Sequence, residues 1–105
     1  MNVIILLQNY KVKDAGKVVV YTTTMGVVRE TYNRCINVKQ ILRTHMVKFE
    51  ERDMYLSSES QTELKDRLNL SAIHVPQLFI DGQYIGVSLI HFFATLTFLY
   101  NVVRA

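Results

Sequence analysis

The spacing of apolar and polar residues changes several times between residues 17 and 86. Four successive apolar β-formers in Lys17–Thr22 predict a strand that is buried on both faces. From Val28 to Thr44, apolar residues recur every three or four positions, which predicts a helix with one buried stripe. Apolar and charged residues then alternate through Val47–Arg52 and predict a second strand, nearer an edge of the sheet.

A second helix is predicted from a capping signal. Ser58 and Gln61 stand three positions apart, the spacing of a capping box, so the helix should begin at Ser58 and run to about Asn69. Leu64 and Leu68 should face inward. The charged residues of the same helix are expected to face outward: Glu63, Lys65, Asp66 and Arg67.

A β-hairpin follows. Gln77–Ile80 and Gln83–Ile85 flank Asp81 and Gly82, a pair that tolerates the positive φ angles of a type I′ turn. Pro76 stands just before the first of these strands, and the pattern alone favours a trans peptide bond there, because only about 5–6% of X–Pro bonds in folded proteins are cis. The order strand, helix, strand, helix, hairpin predicts an α/β fold with a mixed four-stranded sheet and flanking helices.

The two ends of the chain follow different patterns. Residues 1–15 form a lead-in with little signal, and residues 16–86 form the predicted domain. Val87–Ala105 is apolar on all sides, with polar interruptions at His91, Thr95, Thr97 and Asn101. It is interpreted either as a buried or dimer-forming helix or as a membrane tail anchor; the interruptions favour the former.

Composition restricts the class of protein. A chain of 105 residues has room for one core, and its scattered net charge of +3 does not indicate nucleic-acid binding. The single cysteine excludes an internal disulfide and suits a reducing compartment, which predicts a cytoplasmic protein. Neither Cys35 nor the three histidines have ligand spacing, so no metal site is predicted: His45, His74 and His91.

Four stretches together resemble one family: VVVYTTTMGVVRETYNRC, VKQILRT, VKFEERDM and VPQLFIDGQYIG. They are similar to the glutaredoxin domain of the glutaredoxin domain-containing cysteine-rich protein family, within the thioredoxin-like superfamily. The resemblance covers residues 16–86 and implies the glutaredoxin fold and a cis Val75–Pro76 bond. Val87 replaces the family's second glycine after the hairpin, and the cysteine-rich segment of full-length members is missing from this sequence.

The resemblance also identifies an empty catalytic position. In the common glutaredoxin pattern the nucleophilic cysteine stands five residues after the tyrosine, and a second cysteine three further on. Counted from Tyr21, these positions hold Gly26 and Arg29, neither of which can attack a disulfide. Cys35 is the remaining candidate for a catalytic thiol, but it lies on the apolar stripe of the helix and is expected to be an unreactive core residue.

Ligand binding is a separate expectation of the resemblance. It implies that glutathione pairs with the backbone of Val75 and lies near Tyr21, Pro76 and Gly86. The altered end of the groove predicts weak binding or none. Two arginines are candidates for binding the carboxylates of glutathione, Arg29 and Arg52. Arginines at such positions are more commonly solvated surface residues.

Two functions therefore remain open. In the first, the chain is a non-catalytic interaction or glutathione-sensing module, which the resemblance links to an actin-associated partner and actin organisation in the stereocilia of inner-ear hair cells. In the second, it is a glutathione-dependent thiol–disulfide oxidoreductase that acts in deglutathionylation. The glycine at position 26 favours the first.

Overall fold

The computed structural model describes residues 9–69 and 74–86 of the chain. Within them, the strands and helices follow the predicted order: β1 (Val18–Thr22), α1 (Arg29–Thr44), β2 (Glu50–Asp53), α2 (Ser58–Leu68), β3 (Gln77–Ile80) and β4 (Gln83–Gly86). Residues 9–13 are also helical and lead into β1. The predicted apolar helix at residues 87–105 lies outside the described residues. Of the helices in the described ranges, none combines the length and apolarity needed to cross a membrane.

The four strands form one mixed sheet in the order β2-β1-β3-β4. β1 runs parallel to β2 and antiparallel to β3, and β3 pairs antiparallel with β4. The predicted α/β fold with a four-stranded mixed sheet is thereby confirmed. Because α1 makes the crossover between the parallel strands β1 and β2, one helix covers a face of the central strand.

The side chains of β1 enter two separate cores, one on each face of the sheet, as a doubly buried strand requires. On the α1 face, Val20 is buried with three other residues: Val38, Leu42 and Leu78. On the α2 face, Val19 and Tyr21 are buried with Met54, Leu64 and Phe79.

Two boundaries differ from the sequence pattern. β2 begins at Glu50, three residues later than predicted, because the chain is still leaving α1: the amide of Val47 bonds to the Leu42 carbonyl at 2.9 Å. Val47 and Phe49 nevertheless pack against the α1-side core. Val28, which was assigned to the apolar stripe, is instead the residue that precedes α1 and is 59% exposed.

The cap of α2 is also shifted by one residue. Ser57, not Ser58, is the N-cap, and its hydroxyl accepts from the Ser60 amide at 3.1 Å. The Gln61 side chain donates to the Met54 carbonyl instead of closing a capping box. The expectation that Glu63 and Arg67 face solvent is wrong, since both are 7% exposed.

The predicted type I′ hairpin is confirmed by positive φ angles at both turn residues, 52° at Asp81 and 75° at Gly82. A Cβ at position 82 would lie 2.6 Å from the Cα of Lys11, so glycine is needed there for space as well as conformation. The Asp81 side chain accepts from the Gly16 amide at 2.7 Å, and its own amide donates to the Lys17 carbonyl at 2.9 Å. The turn therefore holds the segment that leads into β1.

Candidate functional site

The Val75–Pro76 peptide bond is cis, as the family resemblance implied and against the trans bond that the pattern alone favoured. It immediately precedes β3. The half-buried Val75 side chain packs against the α2-side core, which leaves its backbone as the group available to a ligand. Among the described residues, no backbone hydrogen bond involves the amide or carbonyl of Val75. As far as the described residues go, this backbone is therefore open to pairing with an extended ligand.

Gly86 and the cis-proline segment lie at the same end of β3. Gly86 pairs with Leu78 at the end of β4 and adopts a φ of 89°. A cavity of about 360 Å³ lies between α1 and the cis-proline segment, and seven residues line it: Arg34, Asn37, Val38, His74, Val75, Pro76 and Gln77.

Gly26 lies in the exposed loop between β1 and α1, where a nucleophile would stand. Its φ lies outside the left-handed region, and a Cβ there would meet no heavy atom within 4 Å. α1 begins three residues later, at Arg29, and the N-cap residue Val28 makes no side-chain capping bond. The position has the space for a thiol, although this chain has none there.

Cys35 is buried in α1 with 1% of its surface exposed. Burial raises the pKa of its thiol, and this effect outweighs the opposing hydrogen bond from the Thr23 backbone and the charge of Lys39. A thiol held in the protonated form and away from solvent is a poor nucleophile. The expectation that Cys35 is an unreactive core residue fits this environment.

The side chain of Tyr21 lies inside the domain and has no exposed surface. Its hydroxyl donates to Glu63 at 2.7 Å and accepts from Arg52 and Arg67. A ligand therefore has no access to this side chain. The Tyr21 backbone pairs with Gln77, beside the cis-proline, so a role for Tyr21 in glutathione binding stays a prediction for its main chain alone.

The Tyr21 hydroxyl belongs to a buried ion cluster, defined here as Asp14, Tyr21, Arg52, Glu63 and Arg67. Asp14 is fully buried, and its carboxylate forms ion pairs with both arginines. Its Oδ1 lies 2.7 Å from Arg52 Nη2, and its Oδ2 lies 2.6 Å from Arg67 Nη1. Arg52 Nη1 also lies 2.6 Å from Glu63 Oε1.

Residues at the margin of the ion cluster complete its hydrogen bonding. Lys13 pairs with Glu63 at 2.9 Å, and Glu50 pairs with Arg52 at 2.6 Å. The Arg67 guanidinium lies 3.8 Å from the ring centre of Phe79, a cation–π contact. No buried side-chain nitrogen or oxygen of the described residues lacks a partner, as a buried ionic cluster requires. Arg52 is thus committed to the cluster and is neither a solvated surface residue nor free to bind glutathione.

The ion cluster keeps its carboxylates charged. Burial alone would raise the pKa of Asp14, but hydrogen bonds and charge from Arg52 and Arg67 hold that pKa below its usual value. The pKa of Glu63 is likewise lowered, because its bonds to Tyr21 and Lys13 outweigh desolvation. Burial, together with the bond to Glu63, raises the pKa of Tyr21 to about 12.

These shifts predict that the domain loses stability in acid. A carboxylate whose pKa is lower in the folded state stabilises the fold above its unfolded pKa, and this contribution disappears as the pH falls through the folded pKa. In the unfolded chain the carboxylates have pKa values of about 4. We therefore expect the free energy of unfolding to be constant above about pH 5 and to decrease at lower pH. Urea unfolding from pH 6 to pH 2 measures this. The dependence should be weaker in Glu63→Gln and unchanged in Glu30→Gln, an exposed control; equal dependence in Glu63→Gln would contradict the explanation.

The structure ties part of the predicted lead-in to the domain. The placement of the domain boundary at residue 16 stays a prediction, but Asp14 is buried among residues of β2 and α2. Sequence reasoning missed the ion cluster. The available signal was weak: Glu63 and Arg67 are spaced four apart on the same side of α2 as Leu64, and only the fold brings Asp14 and Arg52 to them.

No metal site is evident in the residues 9–69 and 74–86, which contain no group of three or more potential ligands among His, Cys, Asp and Glu.

The site that the geometry does define is a backbone edge at the cis-proline, beside the exposed loop that precedes α1. A mixed four-stranded sheet with this cis-proline ahead of β3 places the domain in the glutaredoxin class of thioredoxin-like proteins. The Glutaredoxin family model matches residues 18–85, and the chain belongs to the glutaredoxin family.

Known proteins resemble the chain in sequence and in fold. A glutaredoxin domain-containing cysteine-rich protein of Drosophila melanogaster is 58% identical over 79 residues, covering 75% of this chain and 17% of that protein. Glutaredoxin domain-containing cysteine-rich protein 1 of Homo sapiens is 44% identical over 75 residues, covering 70% and 26%. The chain therefore spans about a quarter or less of these relatives. The crystal structure of the holo form of glutaredoxin C1 from Populus tremula x tremuloides matches with a TM-score of 0.64 and 22% identity, covering 98% of this chain and 93% of that chain, which shows the fold alone.

Proposed function

We propose that this domain is a non-catalytic glutaredoxin-like module that binds a protein partner or senses glutathione through the open backbone at Val75. The observation that carries the proposal is the separation of the two parts of a glutaredoxin site. The cis-proline edge is present, while the nucleophile position holds Gly26 and the chain's cysteine, Cys35, is 1% exposed. Backbone pairing needs no particular side chain, so binding survives the loss of the nucleophile.

Glutathione binding through this edge should be weak. The side chains of Tyr21 and Arg52 are committed to the ion cluster, which leaves from the predicted set Arg29, Pro76, Gly86 and the backbones of Tyr21 and Val75. Val87 stands where the family has a second glycine. Few contacts then remain for the two ends of the tripeptide.

The alternative is a glutathione-dependent thiol–disulfide oxidoreductase that acts in deglutathionylation. Membership of the glutaredoxin family and the cis Val75–Pro76 bond favour it. The reaction needs a thiolate that attacks the glutathione sulfur of the mixed disulfide and releases the protein thiol. Cys35 or a partner's thiol would have to supply it, and the raised pKa of Cys35 favours the non-catalytic module.

One experiment on the full chain distinguishes the two functions. We expect millimolar glutathione to shift the NMR signals of Val75 and Thr23. We also expect thiol transfer from a glutathionylated peptide to be no faster with the protein than in buffer alone. Cys35→Ser and its apolar control Cys35→Ala should behave like the wild type in the transfer assay. Transfer that depends on Cys35 would instead support the oxidoreductase.

The family resemblance also supports a proposal about the location of the protein in the cell and about its partner. It suggests a cytoplasmic protein at actin-rich projections such as stereocilia, with an actin-associated partner. Cosedimentation of the chain with filamentous actin, in the presence and absence of a cytosolic extract, tests this association; recovery of the chain only in the supernatant under both conditions would count against it.

A further inference from the structure

The loops that follow β1 and β2 both expose apolar side chains. Here they are called the loop surface, which comprises Met25, Val27, Val28, Tyr55 and Leu56. Their exposed fractions range from 44% at Met25 to 84% at Val27, with Leu56 at 75%. Clustered apolar exposure on a soluble domain is typical of interaction sites, whereas single exposed apolar residues need no explanation.

Asp53 holds the two loops together. Its Oδ1 accepts from the Thr24 amide at 3.3 Å and from the Tyr55 amide at 2.9 Å, so one carboxylate oxygen joins both loops. Burial would raise the pKa of Asp53, but these and other hydrogen bonds lower it, which keeps the carboxylate charged. The two exposed groups are therefore parts of one surface whose backbone is held in place.

This surface adjoins the open backbone at the cis-proline. The antiparallel β1–β3 ladder ends at the pair of Tyr21 and Gln77, and Gln77 directly follows the cis-proline. The first of the two loops begins at Thr23. A segment that pairs with the Val75 backbone would therefore lie beside the end of β1 from which this loop departs.

The border of the site is basic. Arg29, at the start of α1, makes no ion pair with another described residue. Arg34 and His74 line the cavity beside Val75, and Arg34 is paired with the exposed Glu30. An acidic residue in a ligand would complement this border.

We propose that the loop surface and the Val75 edge together dock an extended protein segment that carries apolar side chains and an acidic residue. This inference rests on the proposed binding function and names its partner class. Glutathione has carboxylates and a peptide backbone but no apolar side chain to cover the loop surface. A protein segment uses all three features: the backbone edge, the apolar loops and the basic border.

Selection from a phage-displayed library of random dodecapeptides tests the proposal with the full chain as bait. We expect the selected peptides to be enriched in apolar residues at alternate positions, with an acidic residue nearby. The double variant Val27→Ser/Leu56→Ser should bind a selected peptide at least about tenfold more weakly, because central apolar contacts dominate such interfaces. Val12→Ser is the matched control, since Val12 is 80% exposed but outside the loop surface.

The outcomes separate this inference from the function on which it rests. Failure to select peptides, selection of peptides without apolar enrichment, or equal binding by the double variant would overturn the docking assignment. Those results leave the non-catalytic assignment unaffected, because the thiol-transfer assay decides it. Loss of peptide binding in Arg29→Gln, restored when the acidic residue of the peptide is made neutral, would support the basic border.

Discussion

Replacing Asp14 with alanine is expected to lower the free energy of unfolding by about 3–5 kcal/mol. The carboxylate of Asp14 pairs with Arg52 and Arg67, whose side chains are 10% and 1% exposed. Its removal leaves two buried guanidinium groups without this partner, and desolvated charge is costly when it is uncompensated. Since domains of this size are stable by about 5–15 kcal/mol, the variant should unfold at a much lower urea concentration.

The Glu30–Arg34 pair provides the control for Asp14. It joins the same types of side chain at the surface, where both are more than half exposed. Glu30→Ala should cost no more than about 0.5 kcal/mol, as is usual for exposed helix pairs. A double-mutant cycle with Asp14→Ala and Arg67→Leu isolates the coupling, because the two residues are in direct contact. An effect of Asp14→Ala no larger than that of Glu30→Ala would show that the ion cluster does not support the fold.

Replacing Gly26 with cysteine is expected to raise the thiol-transfer activity of the domain well above that of the wild type. The new side chain has open space around Cβ and lies just before the N-terminus of α1. There the helix dipole and the nearby Arg29 favour the thiolate. The new thiolate would attack the glutathione sulfur of a glutathionylated peptide, which releases the peptide thiol and leaves residue 26 in a mixed disulfide with glutathione. A second glutathione would then attack this mixed disulfide, which releases glutathione disulfide and regenerates the thiolate.

Val12→Cys is the matched control for Gly26→Cys, because it places a thiol on an exposed surface far from the cis-proline in sequence. We expect Gly26→Cys to react roughly tenfold faster, since both the thiolate fraction and the position of bound glutathione contribute. Initial rates with a glutathionylated peptide at pH 7 measure the difference. Equal rates would mean that glutathione does not bind beside residue 26, and would leave a protein segment as the ligand of the Val75 edge.

The element order and the hairpin could be predicted because both depend on local chemistry. The apolar run in Lys17–Thr22 matches a doubly buried strand, and Asp81 with Gly82 suits the left-handed turn that the structure contains. Boundaries were less predictable: β2 starts at Glu50 because its pairing begins opposite Val19. The empty nucleophile position at Gly26 followed from the family resemblance, which also implied the cis bond at Pro76.

The sequence alone determined the order of the strands and helices from residue 17 onward and the absence of a thiol at position 26. Only the tertiary structure decided which charged residues are buried and which are exposed to solvent. Glu63 and Arg67 follow a pattern typical of a solvated helix face, yet they are buried because Asp14 and Arg52 arrive from elsewhere in the chain to pair with them. Local periodicity reports the preference of one segment for water, whereas the burial of a charge depends on partners that only folding brings within hydrogen-bonding distance.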